Sequence, residues 1–282
     1  MKIYRRLGKL LVLVSVVQAT SFAAQTETPR LLEAGQYTVV INEVVATTEG
    51  YRVEQFKDGQ IRIISEGNVS ENLEQKLMDL GFGKSDTALK GPFFQEISLT
   101  GAWEFRRYSA SFTTNTGEPL EFESVFDGVL LKTVARSGEN SANVSRIIED
   151  NLVLDPLGPS PIFPLTLVKQ LQHRGGDEPW TAVSFNPLGF RLPLRSLEIR
   201  RLGSVLLKTE QETSSAERYR AVAIGDTSVG TDVFVQKETM VGASSYIDAQ
   251  DLPADPSALE FRSDLFPNGF TVQQATTLPP KR

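Results

Sequence analysis

The chain has 282 residues, no cysteine, a single histidine and a formal net charge of −6. Without cysteine there is no disulfide and no thiol chemistry, and one histidine cannot supply the usual zinc or copper ligand sets. The acid excess disfavours nucleic acid and anionic lipid surfaces as partners.

Residues 1–23 have the pattern of a cleaved bacterial secretion signal. Lys2, Arg5, Arg6 and Lys9 form a basic start, residues 10–17 are apolar apart from Ser15, and Ser21-Phe22-Ala23 gives a small–x–small site before Ala24. That apolar run is short for a membrane span, and no later run is long enough for one. The expectation is an exported protein, periplasmic or secreted, with no transmembrane segment after cleavage. The leader removes four basic and no acidic residues, so the mature part carries a charge of about −10. Residues 24–36 read as a flexible lead-in.

From Tyr37 the chain alternates, with Tyr37, Val39, Ile41 and Val45 on one side and Thr38 and Asn42 on the other, which predicts a half-buried strand. Residues 51–56 and 61–66 follow as a hairpin, joined through Asp58-Gly59. Over 70–80 the period changes. Leu73, Leu77 and Leu80 share one helical face, with Ser70 as N-cap and Gly81 as stop, so an amphipathic helix is predicted. Four strands are then expected at 93–99, 103–112, 120–126 and 129–136, with polar turns between the later three. Residues 137–145 read as a polar loop, and 144–152 as room for a helical turn or two.

The centre of the chain, 150–176, is a proline-rich crossover. Pro156, Pro159, Pro161 and Pro164 forbid regular helix or central strand in its first part. From Leu165 the apolar residues 165, 167, 168 and 171 suit a short helix ended by Gly175 and Gly176. Beyond it, 180–185 reads as a strand. Residues 194–202 and 204–212 fit strand and helix patterns alike, and 218–225, 232–240, 244–248 and 259–262 read as strands. Residues 267–282 are expected to form a C-terminal tail. No fixed-period repeat occurs, which excludes a solenoid or propeller.

These elements predict a mainly β (β-rich α+β) fold. It is a large, curved antiparallel sheet or open half-barrel over 37–266, with two or three short helices, one of them on the concave side.

Chemistry is sparse. His173 sits at the end of the central helix, where a cap or surface role suits it, and no Gly-x-Ser-x-Gly elbow exists. The Asp248, Asp251 and Asp255 spacing lacks the order of a calcium loop. Glu104, Glu121 and Glu123 are the carboxylates considered for glycan hydrolysis, but their spacing singles out no pair. No phosphate-cradling loop, metal set or cofactor is expected, and no catalytic residue is assigned.

The leading expectation is a carrier or binder of an apolar or lipid-like small molecule, with Ile162, Phe163, Leu165, Val168 and Leu171 as the candidate lining. The alternatives are a non-catalytic envelope scaffold that binds a protein partner, and a carboxylate-dependent glycan hydrolase.

Overall fold

The computed structural model describes residues 28–41, 44–70, 89–156, 160–175, 179–188, 194–247 and 259–274. The leader, the helix expected at 70–80 and the Asp248–Asp255 cluster lie outside them. The first arm holds β1 (Arg30–Ile41), β2 (Val44–Gln55), β3 (Ile61–Val69), β4 (Leu89–Leu99), β5 (Phe105–Thr114), β6 (Pro119–Phe126), β7 (Leu130–Ser137) and β8 (Asn140–Ile147). Then come β9 (Leu152–Leu154), the helix α1 (Ile162–His173) and β10 (Trp180–Phe185). The second arm continues with β11 (Arg195–Lys208), β12 (Thr213–Ala223), β13 (Asp226–Gln236), β14 (Thr239–Ile247), β15 (Leu259–Ser263) and β16 (Thr271–Gln274). The protein is mainly β, as its sequence predicts, and all these strands join one open sheet.

The strand order explains how two arms make one sheet. Strands β1 to β8 form an up-and-down meander, each paired with the next. The chain then crosses to the far end of the sheet, where β9 lies parallel to β10, and β10 to β15 return strand by strand. The return ends with β15 antiparallel to β1, where Tyr37 faces Ser263 and Val39 faces Phe261. Strand β16, inside the stretch read as a tail, adds to β11.

The sheet must be strongly curled. Helix α1 touches β3, β9, β13 and β14, and in a flat sheet β3 and β9 would stand about 43 Å apart at the usual strand spacing of about 4.8 Å. Strand β9 also lies alongside β5, and the Phe105 and Phe185 rings meet edge to face at 6.3 Å. The concave side is therefore wrapped around α1, and the alternation read from the sequence puts one row of each strand there. Tyr37, Val39, Val53, Ile63, Ile97, Tyr108 and Leu131 are all essentially buried.

Helix α1 begins after Pro161 and ends where Gly175, at φ +82°, turns the chain out of helical geometry. It is buried nearly all round rather than along one stripe, the pattern of a helix enclosed on several sides.

A second, smaller core lies on the convex face. A bulge between Arg201 and Gly203 in β11 inserts one residue, and an inserted residue turns the following side chains to the other face. Leu197 and Ile199 therefore pack with Leu167 and Leu171 of α1. Val205 and Leu207 pack instead with Phe234, Val241 and Phe266, and Phe270 covers that cluster.

Gly67 shows how tight the inner rows are. It lies between Glu49 of β2 and Phe93 of β4, and a Cβ there would meet the Phe93 ring at 2.4 Å and the Thr48 carbonyl oxygen at 2.8 Å. Gly67→Ala should cost about 1–3 kcal/mol through this overpacking. Gly50→Ala, whose Cβ would meet only the Glu66 carbonyl at 3.9 Å, should be neutral or slightly stabilising. Thermal unfolding midpoints of the two variants check both.

Candidate functional site

Three places hold side chains that packing alone does not explain. The first is a polar stripe across the inner face of β2 to β5. Glu49 is 2% exposed, and its carboxylate accepts hydrogen bonds from Ser65 Oγ at 2.8 Å, Ser160 Oγ at 3.0 Å and Thr47 Oγ1 at 3.3 Å. Gln95 Nε2 donates to Ser160 Oγ at 2.9 Å, and the Tyr108 hydroxyl donates to Gln95 Oε1 at 2.9 Å. No lysine or arginine pairs with Glu49 among the described residues. Burial pushes its carboxyl up to about 7, against the opposing pull of the Ser65, Ser160 and Thr47 hydroxyls. Burial, together with the nearby Glu49 charge, likewise raises the Tyr108 hydroxyl. Ser160 lies two residues ahead of α1, so the stripe fixes where the helix starts. None of its members lines either cavity described next. The stripe is sealed inside, and its work is positioning.

The second place is the opposite end of α1. A cavity of about 330 Å³ is walled by the turn before β5, the link from β8 to β9, the start of β10 and the last turn of α1. Gln170 and Arg174 are four residues apart on α1 and so share a face. Gln170 is 5% exposed; its Nε2 donates to the Trp103 carbonyl at 2.9 Å, and its Oε1 is buried without a partner. Arg174 lies over the Trp180 ring at 4.6 Å and donates to Asn151 Oδ1 at 2.7 Å. The indole N–H of Trp180 is also buried and unpartnered. Trp103 is held at φ +62°, a left-handed conformation that is costly for a bulky residue. A second cavity, of about 620 Å³, lies on the convex side between residues 208–212 and 265–271.

The third place is the edge of the sheet. Strand β8 pairs with β7 on one side, and among the described residues no strand pairs with its other side.

The structure places the five residues read as a ligand lining together on α1. Ile162, Phe163 and Leu165 have no exposed surface, Val168 has 1% and Leu171 4%, and none of them lines either cavity. His173 is exposed at the end of α1. The carboxylates considered for hydrolysis do not converge. Glu121 and Glu123 project from the face of β6 opposite the buried Phe122; Glu123 pairs with Arg107 at 2.8 Å and Glu104 with Arg106 at 3.8 Å. No group of three metal-ligating side chains converges among the described residues. Glu49, Gln170 and the pair Trp103 and Trp180 escaped the sequence reading. The one available signal was that the chain's only two tryptophans each open a β-strand reading next to a turn.

No protein-family model matches the chain, and no curated protein matches it. Among solved structures it is similar to a beta-barrel-like protein of a domain of unknown function from Brucella abortus. The likeness has a TM-score of 0.42 at 7% identity, over 88% of this chain and 100% of that one.

Proposed function

We propose that the chain is an exported bacterial envelope protein that works as a non-catalytic interaction module, docking an extended segment of a protein partner along β8. The observation that carries this reading is a filled interior beside an open edge. Helix α1 occupies the concave side, while β8 leaves half of its backbone groups unclaimed by any described strand.

The free groups can be assigned. The Ile148 N–H donates to the Val129 carbonyl at 2.8 Å, and the unbroken register from Leu130 opposite Ile147 to Ser137 opposite Asn140 carries that alternation along the strand. The N–H and C=O groups of Ser141, Asn143 and Ser145 therefore face away from β7. No proline or bulge interrupts this edge, and its one charged side chain, Arg146, stands in the half-buried row with Ala142 and Val144. Beside it, Ile147 and Val129 are 68% and 60% exposed, apolar side chains suited to a protein surface. Export rests on the leader pattern of residues 1–23 and agrees with a chain that needs no reduced thiol. Carriage of an apolar or lipid-like molecule in the concave face would require α1 to leave its place, which the docking reading does not.

A photo-crosslinking residue at Ser145 in intact cells should give a discrete protein adduct. Asn143→Pro removes one outward N–H and spares the β7 ladder, so it should abolish the adduct and leave the melting temperature within about 2 °C. Val144→Pro, which breaks a ladder bond, should destabilise the edge itself. If Ser145 gives no protein adduct and the protein leaves the envelope with a bound lipid by native mass spectrometry, the carrier reading replaces this one.

A further inference from the structure

We infer that the segment docked along β8 belongs to a second copy of this chain, whose own β8 lies antiparallel to the first across a two-fold axis at Asn143. The inference rests on the docking reading and names its occupant. A two-fold contact uses the same patch on both partners, so the edge must complement itself when reversed.

The sequence of β8 meets that condition. Its middle, Ser141-Ala142-Asn143-Val144-Ser145, is polar at both ends and at the centre, with one apolar residue on each side of the centre. Reversed against itself about Asn143, it sets Asn143 opposite the partner's Asn143 and Ser141 opposite the partner's Ser145. The outward N–H and C=O groups of Ser141, Asn143 and Ser145 then meet the same groups of the partner, and each pair exchanges two hydrogen bonds. On the inner row Ala142 falls opposite the partner's Val144, small against larger, and Arg146 opposite the partner's Asn140. No charge in the strand stands directly opposite a like charge. Moving the axis on to Val144 would set Glu139 opposite the partner's Glu149, and both are exposed. Moving it back to Ala142 would leave Ser145 facing the turn at Glu139.

The packing favours the same occupant. Ala142 and Val144 are half-buried against the main core, with Ala135 of β7 beside Ala142. A second β8 would lay the same two side chains along the open side of that row and carry the core across the axis. The pairing also closes on itself. In the sheet order the end opposite β8 is β9, which is three residues long and buried, in contact with β5 and α1. That end offers no second edge to continue the sheet into a fibre. Pairing through one strand falls short of the about 1,600 Å² that stable complexes bury, so monomer and dimer should exchange at micromolar concentration.

The chain has no cysteine, so introduced cysteines report the register. Across the axis the two Asn143 Cα atoms would lie about 5.5 Å apart, the separation of a hydrogen-bonded pair and within disulfide reach. Asn143→Cys should therefore oxidise to a disulfide-linked dimer. Ser141→Cys alone should stay monomeric, because the matching residue would lie about 14 Å away, whereas Ser141→Cys mixed with Ser145→Cys should give the mixed dimer. In sedimentation the unaltered protein should show a concentration-dependent dimer, and Asn143→Pro should weaken it at least about tenfold. A protein that stays monomeric at about 100 μM overturns the inference. So do cysteines at 141 and 143 that oxidise alike. The photo-crosslinker at Ser145 separates this inference from the docking reading. An adduct of twice the chain's mass supports both. An adduct with a different protein, abolished by Asn143→Pro, keeps the docking reading and overturns the second copy.

Discussion

Replacing Phe163 with alanine is expected to lower the stability of the fold by about 3–5 kcal/mol. The side chain has no exposed surface and meets the Tyr108 ring edge to face at 5.8 Å. Its helix is held between β3, β9, β13 and β14, strands from both arms, so the space left by the ring cannot collapse without moving the sheet. For a chain of this size the loss corresponds to a fall of about 10 °C in the melting temperature. His173→Ala, on the exposed end of the same helix, should stay within about 0.5 kcal/mol of the wild type. Urea unfolding of the two variants side by side measures whether α1 is a wall of the core or a lid over it. If Phe163→Ala costs under about 1 kcal/mol, the concave side is space for a ligand, and the docking reading loses the filled interior on which it depends.

How far the sequence could be read depended on where each signal came from. Strand β10 matches its predicted bounds, because the run Trp180 to Phe185 is set off in the sequence by Gly175-Gly176 before it and Pro187 after it. The Asp58-Gly59 hairpin formed as its chemistry demands, with Gly59 at φ +86° and Asp58 Oδ1 accepting from the Gln60 N–H at 3.0 Å. The crossover helix was legible from its apolar spacing, though it starts three residues before Leu165, at Ile162. Strand β8 was read as a loop because its inward side chains include only Ala142 and Val144 as apolar residues and its outward ones are mostly Asn and Ser. An edge strand needs little more, so its pattern is weak. The run 232–240 was read as one strand, but the chain turns at Lys237 and Glu238, which take φ +47° and +71° without a glycine or asparagine to announce it. The uncertainty over 194–212 has its cause in the Arg201/Gly203 bulge, which moves the buried row from one face of β11 to the other. The candidate sites were less legible still. Glu49, Ser65, Gln95 and Tyr108 come from four strands and meet Ser160 from the crossover, and no spacing within one segment reveals a stripe that runs across the sheet.

Glu49→Gln should reverse the usual expectation for deleting a charge and stabilise the protein at alkaline pH. The folded state holds the Glu49 carboxyl near 7, above its ordinary value of 4.5, because burial penalises the carboxylate. Between those values the folded chain binds more proton at this site than the unfolded chain, so its stability falls as pH rises. The contribution of the protonated acid is fully present below about pH 4.5 and is lost once the pH has passed about 7, an effect of up to about 3 kcal/mol. Glutamine imitates the protonated acid. Its oxygen can keep the Ser65 and Ser160 hydroxyls as donors, and its amide NH2 can face Thr47 Oγ1, a hydroxyl able to accept. The difference in urea midpoint between variant and wild type, which cancels the other titrating groups, should be near zero at about pH 4.5 and favour the variant by about 2–3 kcal/mol at about pH 8.5. Parallel pH profiles would mean that Glu49 is solvated in the folded state. The stripe that seats Ser160 ahead of α1 would then be an opening into the interior rather than a seal.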